Sequence, residues 1–85
     1  MSDPDDRTIA GMLMALASHR GRDKSFCPSE AARALFDDQH WRDHMDNVRR
    51  VASDLAREGR LDMLARGQRL SPEVAHRGPI RLRLG

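Results

Sequence analysis

Ile9, Met12, Leu13, Leu16 and Ala17 recur at i, i+3, i+4, i+7 and i+8. That spacing gathers them into one apolar stripe on a helix. Asp5 or Asp6 suits its start, since a carboxylate accepts from free amides at the positive end of a helix, and the pattern runs to about Arg20 before Gly21. Residues 21–26 read as a polar link that ends on an apolar Phe26. Cys27-Pro28-Ser29-Glu30 then opens a shorter helix carried by Ala31, Ala32, Ala34, Leu35 and Phe36. Pro28 fits the first helical position, where no amide bond is lost. Asp37-Asp38-Gln39 breaks this helix, and a third, longest one is predicted from about Trp41 to Glu58, with Gly59 as its stop. Its expected buried stripe is Trp41, Met45, Val48, Ala52 and Leu55.

The period then changes. Leu61-Asp62-Met63-Leu64 reads as a short strand, Ala65-Arg66-Gly67-Gln68 as a turn, and Arg69-Leu70 as the returning strand. Ser71-Pro72 ends the pairing. Residues 73–79 are expected to form a loop, with room for one helical turn. Ile80-Arg81-Leu82-Arg83-Leu84 alternates cleanly, as a half-buried strand does. The expected fold class is therefore α+β, mostly α: a winged helix-turn-helix with three helices followed by a small antiparallel β-hairpin, the wing. A three-helix bundle with a frayed tail is the rival, and the alternation over residues 80–84 argues against it. The expected organisation is a disordered tail over residues 1–6 and a single domain over 7–85.

Length and composition narrow the classes. A chain of 85 residues makes one domain. It buries only about 60–65 % of its unfolded surface, so its stability is expected near 5 kcal/mol, low in the usual range. No apolar run approaches the roughly 20 residues that span a bilayer, so no membrane association is expected. The acidic start, Met1 to Asp6, lacks the basic and apolar regions of a signal peptide. Cys27 is the single cysteine, which excludes an internal disulfide and points to the cytoplasm. The formal net charge is +2, but it is unevenly spread. Residues 1–46 hold six Lys/Arg against nine Asp/Glu, whereas residues 47–85 hold nine Arg against four. Such asymmetry suits an anionic partner.

On a wheel of about 100° per residue, Arg42, Arg49, Arg50, Ser53 and Arg57 share an arc beside the apolar stripe of the third helix. A recognition helix presents such residues to base edges and phosphates. Asp43, Asn47, Asp54 and Glu58 form a second, acidic arc, and Asp46 interrupts the basic one. The same face also reads as a solvated surface with intrahelical pairs, of which Asp46–Arg50 has the best spacing. The wing adds Arg66 and Arg69, suited to gripping a nucleic-acid backbone, while charges on strand edges also discourage aggregation. The contact set expected on double-stranded DNA is Arg42, Arg49, Arg50, Ser53, Arg57, Arg66 and Arg69. The alternative is a protein–protein interaction module that binds no nucleic acid, since a fold does not fix a function.

Other chemistry is sparse. His40 and His44 stand four apart, the spacing of two ligands on one metal, with Asp37, Asp38 and Cys27 near in sequence. That signal is weak without a second His/Cys pair, two exposed histidines at a helix start explain the pair better, and no metal is expected. Cys27 opens a helix, a position that suits redox-active thiols, but a lone cysteine among apolar residues is ordinarily inert. Ser29 has no His–Asp constellation, and no glycine-rich phosphate loop, Cys-x-x-Cys or His-Glu-x-x-His is present. Neither a catalytic residue nor a cofactor is expected, and the chain does not read as an enzyme.

Pro28-Ser29-Glu30-Ala31-Ala32-Arg33-Ala34-Leu35, then Trp41-Arg42, Met45, Val48-Arg49, Ala52, Leu55, Glu58-Gly59-Arg60 and Gly78-Pro79-Ile80-Arg81 also carry a likeness. With these residues the chain resembles the bacterial winged-helix "domain of unknown function 3253" family over about residues 8–84. The resemblance implies a winged-helix fold and carries no established catalytic residues, since the function of that family is not settled. His44 departs from the pattern, standing where an ordinary polar or apolar residue is expected.

Overall fold

In the computed structural model, which describes residues 6–72 and 79–85, three helices pack on a three-stranded antiparallel sheet in a winged-helix layout. Helix α1 (Asp6–Arg20) buries Ile9, Leu13 and Ala17, one side chain per turn, and leaves Met12 and Leu16 half-buried. The expected tail over residues 1–6 falls on residues 1–5, outside the described residues, and on Asp6, which already opens α1. The loop expected over 73–79 likewise lies outside them, except for Pro79.

Helix α2 (Pro28–Leu35) starts where Cys27 takes an extended backbone, φ −86° and ψ 139°. The Glu30 carboxylate reaches back to accept from the Cys27 N–H at 2.9 Å, satisfying one of the amides a helix start leaves open. The same carboxylate accepts from Arg20, so the cap of α2 is tied to the end of α1. The Arg20 guanidinium holds the Glu30 carboxyl below the usual glutamate range, with the Cys27 amide adding to the effect. Phe36 is extended and ends the helix one residue earlier than its apolar run suggests.

The third helix is not continuous. Trp41–His44 forms a 3₁₀ turn, and helix α3 (Met45–Arg57) follows it. Asp37 is the cause. Its carbonyl accepts from the His40 and Trp41 amides at 3.2 and 3.1 Å, and its carboxylate accepts from the Gln39 amide at 3.1 Å. The chain thus enters tightly wound, as helix starts often do. Val48, Val51, Ala52 and Leu55 are buried, while Trp41 and Met45 are only partly covered. Val51 broadens the expected stripe because α3 meets α1 and α2 on one side and the sheet on the other. The helix ends in a Schellman motif: Arg60 N–H donates to the Leu55 carbonyl and Gly59 N–H to that of Ala56, with Gly59 at φ 78°.

Strands β1 (Leu61–Ala65) and β2 (Gln68–Leu70) form the hairpin, with Met63 opposite Leu70 and Ala65 opposite Gln68. Strand β3 (Arg81–Leu84) pairs with the other edge of β1, Leu61 opposite Leu84 and Leu64 opposite Arg81. The order is β2-β1-β3. Phe26, at the end of the link after α1, extends this sheet by one residue. Its N–H donates to the Leu82 carbonyl at 2.8 Å, and the Leu82 N–H returns to the Phe26 carbonyl at 2.7 Å. Both side chains are fully buried, with Ile80, Leu61 and Met63 in the same core. No polar side chain is buried among the described residues.

Two outcomes follow from this packing. Phe26→Ala should cost about 3–5 kcal/mol, most of the stability of so small a domain, and urea melts should show it largely unfolded. Glu30→Ala should cost about 1 kcal/mol at neutral pH through loss of the cap. Because Glu30 titrates lower when folded, its contribution is present above its unfolded pKa and vanishes as pH falls through the folded one. Stability measured from pH 7 downward should therefore decline less steeply below about pH 4.3 in Glu30→Ala than in the native chain.

Candidate nucleic-acid interface

Burial of Val48, Val51, Ala52 and Leu55 turns the opposite side of α3 to solvent, where Asp46, Asn47, Arg50 and Arg57 are exposed. The residues expected to contact a polyanion do not form one bare basic strip there. Arg50 reaches across to α1 and grips Asp6 with both terminal nitrogens, at 2.9 and 2.7 Å. It also approaches Asp54 at 3.9 Å. The pairing with Asp46 expected from spacing is not made, because the Asp6 carboxylate offers a two-point fit that a neighbour on the same helix does not. The hydrogen bond from Arg50 holds the Asp6 carboxyl below the usual aspartate range.

Arg57 donates to Asp54 at 2.9 Å and to the Pro72 carbonyl at 3.3 Å. Ser53 is half-buried, and its hydroxyl points at the Met63 sulfur, 3.7 Å away on β1. These two residues mark the margin of α3 that abuts the hairpin. Ser53 is thereby turned towards the sheet. Arg49 is half-buried on α3.

The hairpin turns on Arg66 and Gly67, with φ values of 53° and 79°. Two central residues with positive φ make a type I′ turn, whose twist matches the strands it joins. Gly67 takes this backbone freely, whereas an arginine pays for it in steric strain of about 1–2 kcal/mol. Arg66 is exposed at the tip and makes no hydrogen bond or ion pair among the described residues. Arg69, on β2, instead meets Asp62 at 3.1 Å, and Arg83 meets the same carboxylate at 3.4 Å. Beside the hairpin an open cleft of about 440 Å³ is lined by Leu64, Ala65, Arg66, Pro79 and Arg81. Arg81 donates to the Ser25 hydroxyl and carbonyl at 2.7 and 3.0 Å, clasping the α1–α2 link from β3.

Arg42 sits in the 3₁₀ turn that leads from α2 into α3. Its guanidinium lies 4.6 Å from the centre of the Trp41 ring, and that of Arg33, on α2, lies 4.5 Å from it. Trp41, expected in the core, is only half-buried because it serves as this platform. Spacing alone hides the arrangement, since the tight turn after Asp37 brings Arg33 and Trp41 together.

The histidines have structural partners. His40 Nδ1 lies 2.6 Å from the Asp37 carboxylate, which this contact holds below the usual range. The His44 ring stacks on Phe36, 3.6 Å between centres and 5° from parallel. Cys27 is a half-buried free thiol that accepts from the Ser29 hydroxyl at 3.0 Å. Among the described residues no three His, Cys, Asp or Glu side chains converge as a metal site would require, and no helix is long and apolar enough to cross a membrane.

No curated protein matches the chain. The model of the family described as "Protein of unknown function (DUF3253)" matches residues 6–85. With the winged-helix layout and this match over nearly its whole length, the chain belongs to the domain of unknown function 3253 family.

Proposed function

We propose that this domain is a DNA-binding module of the cytoplasm, and not an enzyme. Helix α3 lies in the major groove of a duplex, and the hairpin tip holds a phosphate or enters the minor groove. The observation that carries the reading is Arg66. A strained backbone position at the tip of a wing is occupied by an exposed cation without a partner among the described residues. Asparagine or glycine takes that position at less cost, and strain of this kind gathers where a side chain serves a ligand. Ser53 and Arg57 seat the hairpin beside α3, so helix and tip address one ligand together.

The pairs on Arg50, Arg57 and Arg69 do not oppose this reading strongly. Their side chains are 46–75 % exposed, and exposed pairs are worth about 0–1 kcal/mol. Phosphate oxygens replace the carboxylates at little cost. The same three pairs favour a second reading, a protein–protein interaction module, because a face already neutralised by its own acids suits a partner of mixed charge.

Titration of a short mixed-sequence duplex separates the two. DNA binding predicts affinity that falls between about 50 and 200 mM salt with a finite log–log slope. Arg66→Asn should leave the fold as stable or about 0.5–1 kcal/mol more stable, by relieving the turn, and yet weaken duplex binding about three- to tenfold. No binding at low salt, or binding without a salt slope, removes the nucleic-acid reading and leaves the protein-partner one.

A further inference from the structure

Arg33 and Arg42 differ from the arginines of α3 and β2 in what holds them. Each lies over the Trp41 ring, at 4.5 and 4.6 Å. Both are exposed, and neither forms a hydrogen bond or ion pair with a carboxylate among the described residues. A guanidinium held over an aromatic face has already given up much of its side-chain freedom, so it loses little more when its free N–H groups bond a ligand. Sharing one ring also brings the two close: their central carbons are at most about 9 Å apart, since both lie within 4.6 Å of one point. One strand of a duplex carries a charge about every 3.4 Å of helix axis, so two cations within this limit reach phosphates only a few nucleotides apart on one strand.

The supports of the platform are themselves fixed. Phe36, which ends α2, stacks on His44, which ends the 3₁₀ turn. Asp37 winds that turn through the His40 and Trp41 amides. The relation between α2 and Trp41 is therefore set by packing and backbone bonds before any ligand arrives. The acids nearby limit the site to few contacts. Asp37 is engaged by His40, whereas Asp38 and Asp43 are exposed and repel an approaching anion. A loose cloud of positive charge is thus absent, and attraction depends on the free N–H groups of two guanidinium ions.

We propose that Arg33 and Arg42, held over the Trp41 ring, form a two-point clamp for the phosphodiester backbone of duplex DNA, with Trp41 as the positioning residue. This rests on the DNA-binding reading above and adds to it a second anchor, at the turn between α2 and α3. The clamp sets where α3 enters the groove, because phosphate contacts fix register and base contacts read sequence.

Trp41 is the only tryptophan, so its emission reports the clamp in the intact chain. Three proteins are titrated with the same short duplex over a salt series: the native chain, Arg33→Ala/Arg42→Ala and Arg33→Lys/Arg42→Lys. Circular dichroism verifies that each is folded. The double alanine variant should lower the salt slope by about two, near one per lost phosphate contact, and its Trp41 emission should no longer respond to DNA. The double lysine variant keeps both charges but not the planar guanidinium groups over the ring. It should retain the slope and bind about three- to tenfold more weakly. Native binding that depends on Arg66 but is unchanged in slope and emission by the alanine pair overturns the clamp and leaves the DNA-binding reading in place. Lysine variants as tight as the native chain overturn the role given to Trp41. A native chain that does not bind the duplex at low salt overturns the DNA-binding reading itself.

Discussion

The two backbone hydrogen bonds between Phe26 and Leu82 close this molecule. Without them β3 has one strand partner, β1, and the link between α1 and α2 has no backbone bond to the sheet. With them the link becomes a fourth position in the sheet, so the helical layer and the strands share one continuous core through Phe26, Leu82, Ile9 and Leu13. Arg81 reinforces the same seam from its outer side by clasping Ser25. A domain of this size has little core to spare, which makes one well-buried contact between distant parts of the chain decisive. It also holds β1, and therefore the hairpin, at a set distance from α3.

On this frame the charges sort into two kinds. Arg50, Arg57, Arg69 and Arg83 lie against carboxylates of the same chain, and several of these pairs join separate elements: Arg50 spans α3 to α1, and Arg83 spans β3 to β1. Their contribution to stability is small because most are well exposed, but they lower the net charge a partner meets. Arg33, Arg42 and Arg66 are held by other means, two by an aromatic ring and one by a strained turn. The uneven charge along the chain thus overstates how basic the α3 surface is. Which arginine lacks an acid matters more than how many arginines there are.

Much of the fold is legible in the residues. The three helices and the hairpin follow from periodicity and turn chemistry, because the apolar spacing that marks an element also decides which face it buries. Two features escape such reading. The break between Trp41–His44 and α3 depends on hydrogen bonds to Asp37, and helical periodicity carries no record of them. Phe26 is visible as an apolar residue in a polar link, but its strand pairing depends on a residue 56 positions away. The partners of the polar side chains escape it for a related reason. A helical wheel shows direction around one axis, and Arg50 finds Asp6, Ser53 finds Met63 and Arg33 finds Trp41 on other elements. The turn that carries Arg66 is legible, since Gly67 falls between two short runs of strand residues.

The seam is open to direct measurement by native-state amide hydrogen exchange. If the Phe26–Leu82 pairing closes the domain, those two amides exchange only through global unfolding, with a free energy equal to that from denaturant melts. Exchange at either amide far faster than global unfolding, while the β1 amides stay protected, would contradict the account. The hairpin and helices would then be joined by something other than β3.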